Sequence, residues 1–125
     1  MNTRMKAIII SMLLGLGVSF AAEVVPIEKG EKLIADKVQL LDVRTEEEWK
    51  EGHLKGAVRA DVTEKGFAEA VKKVTDPDKP VLVYCRSGGR SARAAKQLEK
   101  LGYEVVYDLK GGITAWKKAG KEVVK

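Results

Sequence analysis

The segments Val38-Gln39-Leu40-Leu41-Asp42-Val43 and Pro80-Val81-Leu82-Val83-Tyr84 are of strand length and apolar almost throughout, the pattern of strands buried on both faces. The rest of the chain alternates strand with helix. Residues 24–27 read as a short strand, placed at a sheet edge by Pro26. Residues 28–37 form a weak helix that contributes Leu33 and Ile34, with Gly30 counting against it. Thr45-Glu46-Glu47-Glu48 has the spacing of a capping box and starts a short helix that ends near Gly52. Residues 58–62 form a third strand. Phe67–Val74 is a helix with Phe67, Ala70, Val71 and Val74 on one face. After a turn at 76–80 and the strand through Tyr84, residues 91–101 make a helix with Ser91 as N-cap and Gly102 as stop. A strand at 104–107 and a helix at 113–119, closed by Gly120, complete the chain. Alternation of this kind predicts one α/β domain, a parallel sheet covered on both faces.

Residues 1–21 are of a different character. A short basic segment through Lys6 precedes an uncharged, mostly apolar run at 7–20, and Ser19-Phe20-Ala21 places small residues where a signal peptidase reads. This order predicts a cleavable secretory signal at 1–21, a mature domain at 22–125, and a periplasmic or secreted location. The apolar run falls short of the roughly 20 residues that span a bilayer, so no stable membrane association is expected after cleavage. The net charge of +5 and pI near 9.3 raise the question of a nucleic-acid partner. The basic residues are interspersed with acids, and there is no paired-cysteine zinc spacing and no Gly-x-x-x-x-Gly-Lys loop. Loss of Arg4 and Lys6 lowers the charge from +5 to +3. Neither nucleic acid nor a bound metal is expected.

An exported chain meets an oxidising compartment, where cysteines usually come in pairs, yet Cys85 is the only cysteine. It is either a buried apolar filler or a reactive thiol. Ligands of parallel α/β sheets bind beyond the carboxyl ends of the strands, and Cys85 directly follows the most strand-like segment of the chain. In the loop Cys85-Arg86-Ser87-Gly88-Gly89-Arg90, Gly88 and Gly89 can take positive φ and curl successive amides toward a common centre. The helix that follows adds about half a positive charge at its N-terminus, and Arg86 and Arg90 add full charges. Such a cradle should hold the thiol below its free value of about 8.5. A structural cysteine needs none of it, so the expectation is a nucleophile.

Four segments, in this order, resemble the single-domain rhodaneses, the thiosulfate sulfurtransferase family. They are Leu41-Asp42-Val43-Arg44 with Glu48-Trp49; Gly52-His53-Leu54-Lys55-Gly56-Ala57; Tyr84 through Ser91; and Gly111-Gly112 with Trp116. The similarity runs over about residues 24–119. It implies a three-layer α/β/α domain with a central, mostly parallel sheet. It also implies a two-step displacement in which Cys85 takes the outer sulfur of thiosulfate as a persulfide, then yields it to cyanide or a thiol, including a thiol on a partner protein. Arg86, with Arg90 second, would hold the sulfonate oxygens, and the amides of Arg86, Ser87, Gly88, Gly89 and Arg90 would ring the transferred sulfur. No metal or organic cofactor is implied. His53, the only histidine, is read as structural. Asp42 and Arg44 are read as hydrogen-bonding residues near the active-site face, and Trp49 and Trp116 as packing residues. Gly111 and Gly112 are read as a tight turn. The alternatives are a persulfide carrier for a partner protein, and a phosphatase or arsenate reductase of rhodanese-like fold. The latter have five residues between cysteine and arginine, where this chain has four, and typically histidine where it has Tyr84.

Overall fold

The computed structural model describes residues 22–125; the segment read as a secretory signal lies outside the described residues. The elements in order are β1 (Glu23–Val25), α1 (Ile27–Ala35), β2 (Gln39–Asp42), α2 (Glu46–Glu51), β3 (Val58–Arg59), α3 (Phe67–Val74), β4 (Val81–Tyr84), α4 (Gly89–Lys100), β5 (Val106–Leu109) and α5 (Gly112–Lys118). The strands form one sheet in the order β1-β5-β4-β2-β3, and every neighbouring pair is parallel.

The central strand β4 explains the layering. Its side chains alternate between faces, Val81 and Val83 entering one core, Leu82 and Tyr84 the other. The first core is closed by Phe67 and Val71 of α3 and by Ala94, Ala95 and Leu98 of α4. The second is closed by Ile113 and Trp116 of α5, with Leu33 and Ile34 of α1 packed against it. The result is a three-layer α/β/α domain; β4 is a continuous apolar run because both of its faces are covered, and β2 buries Leu40 and Leu41 on opposite faces between Gln39 and Asp42.

Three strand boundaries and the role of one glycine depart from the sequence reading. The first strand ends at Val25, because Pro26 caps α1 and does not continue the strand. Gly30, which weakens a helix on propensity alone, is a packing residue: a Cβ there would run into the Leu109 side chain, so its absence lets α1 lie close on β5. β3 is two residues long, and beyond it only Ala60 N–H to Asp42 O (3.0 Å) and Val62 N–H to Val43 O (3.2 Å) continue the ladder. β5 is displaced two residues from the expected 104–107, starting at Val106 and ending at Leu109, with Asp108 a buried polar residue inside it.

Candidate active site

β4 delivers Cys85 to the carboxyl edge of the sheet, under the start of α4. The residue is 1% exposed, so its sulfur forms the floor of the loop. Gly88 holds φ +123°, a backbone state that a side chain strains, and this turn aims its N–H at Cys85 Sγ, 3.0 Å away. α4 begins at once with Gly89, and its first N–H groups have no intrahelical acceptor. The main-chain N–H groups of Ser91, one of these, and of Ser87 lie on the sulfur side of the loop and favour its charged form. The Ser91 hydroxyl lies 3.5 Å from Sγ and donates to Gly88 O at 3.1 Å. Burial pushes the thiol up; the Ser91 hydroxyl and the Ser91, Gly88 and Ser87 amides outweigh it, so Cys85 titrates below its ordinary value. A buried filler thiol in apolar surroundings would shift the other way.

The loop is shaped from outside as well as by its own glycine. At the start of α5, Ile113 N–H donates to Cys85 O (3.0 Å) and Thr114 N–H to Arg86 O (3.1 Å). Holding these two carbonyls against α5 turns the N–H groups of the same peptides, those of Arg86 and Ser87, the other way, toward the loop interior. The approach is possible only because residue 112 is glycine: a Cβ there would strike Cys85 O and stand 2.6 Å from Arg86 O. Gly112 is therefore a contact surface for the Cys85 loop in addition to part of a turn, while a Cβ on Gly111 would meet Ala115 of the same helix. The paired glycines were visible in the sequence, and the target of Gly112, more than 20 positions earlier, was not.

Glu48 fastens the loop to α2. It completes the capping box, with Glu48 N–H to Thr45 Oγ1 at 3.3 Å and Thr45 N–H to Glu48 Oε1 at 3.2 Å, and it also takes the Arg90 fork. Nη1 donates to Oε1 at 2.7 Å and Nη2 to Oε2 at 2.9 Å. The fork, helped by Thr45, holds the Glu48 carboxyl at about 2. No sequence signal marked this second role, because the capping box alone accounts for a glutamate at that position.

Beneath the loop lies a buried ion pair. Asp42 accepts from Arg44 Nη2 (2.7 Å), Nε (2.9 Å) and main-chain N (2.9 Å), and from the Tyr84 hydroxyl (2.7 Å). Arg44 Nη2 also donates to Gly52 O, and the Tyr84 oxygen accepts from Leu54 N–H. The network ties β2, β4 and the 52–54 segment together with its polar groups paired, the condition for burying charge. His53 stacks on Trp49, ring centroids 3.5 Å apart, with Nδ1 3.0 Å from Trp49 O, and its main chain bridges to Val124. Trp116 packs in the second core and donates Nε1–H to Glu122 O. A cleft of about 660 Å³ on the same edge is lined by Thr45, Glu46, Glu47, Arg59, Asp61 and neighbours, and by no residue of the 85–91 loop.

Comparison with known proteins agrees with this architecture. The model of the rhodanese-like domain family matches residues 27–119. The chain belongs to the rhodanese-like domain family. Among relatives of this rhodanese-like domain, the uncharacterized protein YqhL of Bacillus subtilis is 40% identical over 80 residues, which cover 64% of this chain and 61% of that protein. A tRNA uridine(34) hydroxylase of Chlamydia felis is 37% identical over 99 residues, covering 75% of this chain and 30% of the hydroxylase. The chain thus spans less than two thirds of the length of these relatives. A crystal structure of a rhodanese-related protein from Thermoplasma volcanium superposes with a TM-score of 0.70 at 29% identity, covering 82% of this chain and 97% of that one.

The structure brings Cys85, Ser87, Gly88 and Ser91 together around the sulfur and departs from the sequence reading at three loop positions. Ser91 is not the N-cap of α4; Gly88 is, and Ser91 sits in the first turn with its side chain turned inward to the thiol. Gly89 has an ordinary φ, so only one of the two loop glycines is in the positive region. Arg90 is engaged by Glu48 and does not present a free fork, whereas Arg86 is exposed and has no side-chain hydrogen bond or ion pair among the described residues. His53 and Trp116 of this rhodanese-like domain have their polar atoms on main-chain carbonyls outside the loop.

Proposed function

We propose that this rhodanese-like domain is a sulfurtransferase that carries sulfur as a persulfide on Cys85. The observation that supports this most directly is the ring of main-chain N–H groups around Cys85 Sγ, led by Gly88 at 3.0 Å, with the thiol held down in spite of burial. The Cys85 thiolate attacks the outer sulfur of thiosulfate. An S–S bond forms to Sγ while the sulfur–sulfur bond of thiosulfate breaks, and its electron pair leaves with sulfite. The persulfide then carries the negative charge on its outer sulfur, within reach of the same fixed donors, which need no reorganisation as charge moves. A nucleophile, cyanide or a thiolate, attacks the outer sulfur, and the pair returns to Sγ as thiolate. Arg86 is the free guanidinium of the loop and holds the sulfonate oxygens of the incoming donor.

Intact mass after thiosulfate treatment tests the reading. The protein should gain one sulfur atom, lose it to cyanide, and gain nothing as Cys85→Ala; no gain in the wild type refutes the proposal. A persulfide that forms but does not turn over would select a carrier for a partner protein, and Cys85-dependent hydrolysis of an aryl phosphate would select an oxyanion enzyme. The uridine hydroxylation named for the Chlamydia relatives is not carried over, since the match covers 30% of their length. We assign the domain to an exported location on its N-terminal segment; a mature N-terminus at Ala22 in the exported fraction is the expected result, and an uncut chain in the cytoplasm would overturn it.

A further inference from the structure

The α4 face of the sheet buries one carboxyl that sulfur transfer does not use. Asp108 of β5 is 5% exposed, and its Oδ1 has no hydrogen-bond partner among the described residues. The sheet register sets its position: Val83 of β4 and Val24 of β1 are its neighbours. Val83 lies two residues before Cys85, and both belong to the core under α4. Ala92 and Ala95 of α4 share a small cavity of about 210 Å³ with Asp108, and Ser91 lies one turn before Ala95, fully buried.

Ser91 thus stands between two groups. Its hydroxyl is 3.5 Å from Cys85 Sγ, and it is the side chain that eases the burial of Asp108. In the conformation described here the hydroxyl donates to Gly88 O, and Asp108 Oδ1 has no partner among the described residues. Neither Cys85 nor Asp108 has another side-chain partner among the described residues. The charged groups that share the cavity with Asp108 are Lys96 and Glu99 of α4. Beside Asp108, β1 places Val24 and β4 places Val83, and Ala22 just before β1 lines the cavity. Burial pushes Asp108 up from its ordinary value, while Cys85 is held down.

We propose that Asp108 is the proton acceptor for Cys85: the S–H proton passes to Ser91 Oγ as the Ser91 hydroxyl proton passes to Asp108. One S–H bond is exchanged for one O–H bond and no electrons are transferred. The products are a thiolate that accepts a hydrogen bond from Ser91, whose hydroxyl turns from Gly88 O, and a neutral carboxyl that donates to the Ser91 oxygen, so the buried carboxyl gains a partner. Asp108 reaches the sulfur only through Ser91. The pair then releases its two protons in separate macroscopic steps, with the thiolate partly formed after the first.

The test is the pH dependence of Cys85 alkylation by iodoacetamide in the full chain, followed alongside thiolate ultraviolet absorbance and the infrared band of a protonated carboxyl. Wild type should alkylate in two steps separated by a plateau, with the carboxyl band persisting through the first step and vanishing in the second. Asp108→Asn, which keeps the shape but cannot take a proton, should show one step and no band. Ser91→Ala should show one step displaced upward by about one pH unit, a tenfold slower reaction at the wild-type plateau. A single step in wild type with no protonated carboxyl above the ordinary carboxyl range overturns the proposal, and the wild-type measurement decides even if a variant does not fold. An Asp108→Asn profile identical to wild type also overturns it. No readout involves a sulfur donor, so failure here is distinct from failure of the persulfide reading.

Discussion

Gly112→Ala tests whether the catalytic loop is propped by α5. Residue 112 holds φ +59°, and an alanine in that left-handed state costs about 1–2 kcal/mol. Its Cβ would also strike Cys85 O and stand 2.6 Å from Arg86 O. Both are main-chain atoms, so relief requires α5 to withdraw from the loop. Withdrawal breaks the bonds from Ile113 N–H and Thr114 N–H to those carbonyls, worth about 0.5–1.5 kcal/mol each. The expected destabilisation is therefore about 2–5 kcal/mol from backbone strain and lost bonds together. Once released, the peptides of Cys85 and Arg86 no longer have to aim their N–H groups inward, and the thiol should titrate closer to free cysteine. Gly89→Ala is the control. Its φ is ordinary and nothing lies within 4 Å of the added Cβ, so it should be neutral or stabilising by up to about 1 kcal/mol. Urea denaturation reads the first effect and the pH midpoint of iodoacetamide alkylation the second. A Gly112→Ala protein within about 1 kcal/mol of wild type, the worth of one hydrogen bond, and with the same alkylation midpoint would show that the loop does not depend on α5.

Glu48→Gln should cost about 1 kcal/mol, the partly exposed Arg90 pair being screened. The Glu48 carboxyl titrates at about 2 against an ordinary 4.5, so wild type keeps this contribution above about pH 4.5 and loses it as pH falls toward 2. The variant should lack that acid limb in pH-dependent urea melts, and superimposable limbs would count against the clamp. Arg86→Ala should leave stability within about 0.5 kcal/mol and raise the KM for thiosulfate about tenfold or more, the worth of one charged hydrogen bond; an unchanged KM removes Arg86 from donor binding. Asp42→Ala should cost about 3–5 kcal/mol because Arg44 is left buried without its carboxylate. Tyr84→Phe, which removes one bond to the same carboxylate, should cost about 1–2 kcal/mol; a loss under about 1 kcal/mol for Asp42→Ala would mean that the network does not hold β2 to β4.

What could be read in advance was what local chemistry encodes. β4 was recognisable because burial on both faces leaves it apolar throughout, β2 by Leu40, Leu41 and the flanking valines, and the Thr45–Glu48 box because its partners are three residues apart. The loop from Cys85 to Arg90 was legible as an anion cradle because its glycines and cations are contiguous. The errors arise where a residue answers to a distant partner. Gly30 reads as a helix breaker until Leu109 is placed against it. Asp108 reads as the end of a strand, since a charge inside a buried parallel strand is unexpected without its surroundings. Ser91 looks like a cap because short polar residues favour helix starts, yet the helix begins two residues earlier and the hydroxyl faces the thiol. The engagement of Arg90 joins positions 42 apart in the chain, and no local pattern reports it.

That engagement bears on which anion the loop holds. An oxyanion such as phosphate presents several charged oxygens at a distance from the nucleophile, and a free guanidinium fork matches that shape. Here the Arg90 fork is filled by the Glu48 carboxylate at 2.7 and 2.9 Å, and Arg86 is the loop's one unpaired cation among the described residues. The positive end of the site is instead made of amide dipoles that converge on the sulfur itself, with Gly88 N 3.0 Å from Sγ. Amide dipoles lose strength quickly with distance, so this field is strongest within about one bond length of Cys85 and weak where the outer oxygens of a phosphate would lie. A charge borne on an atom bonded directly to Sγ is the charge such a loop stabilises best. A persulfide puts it there.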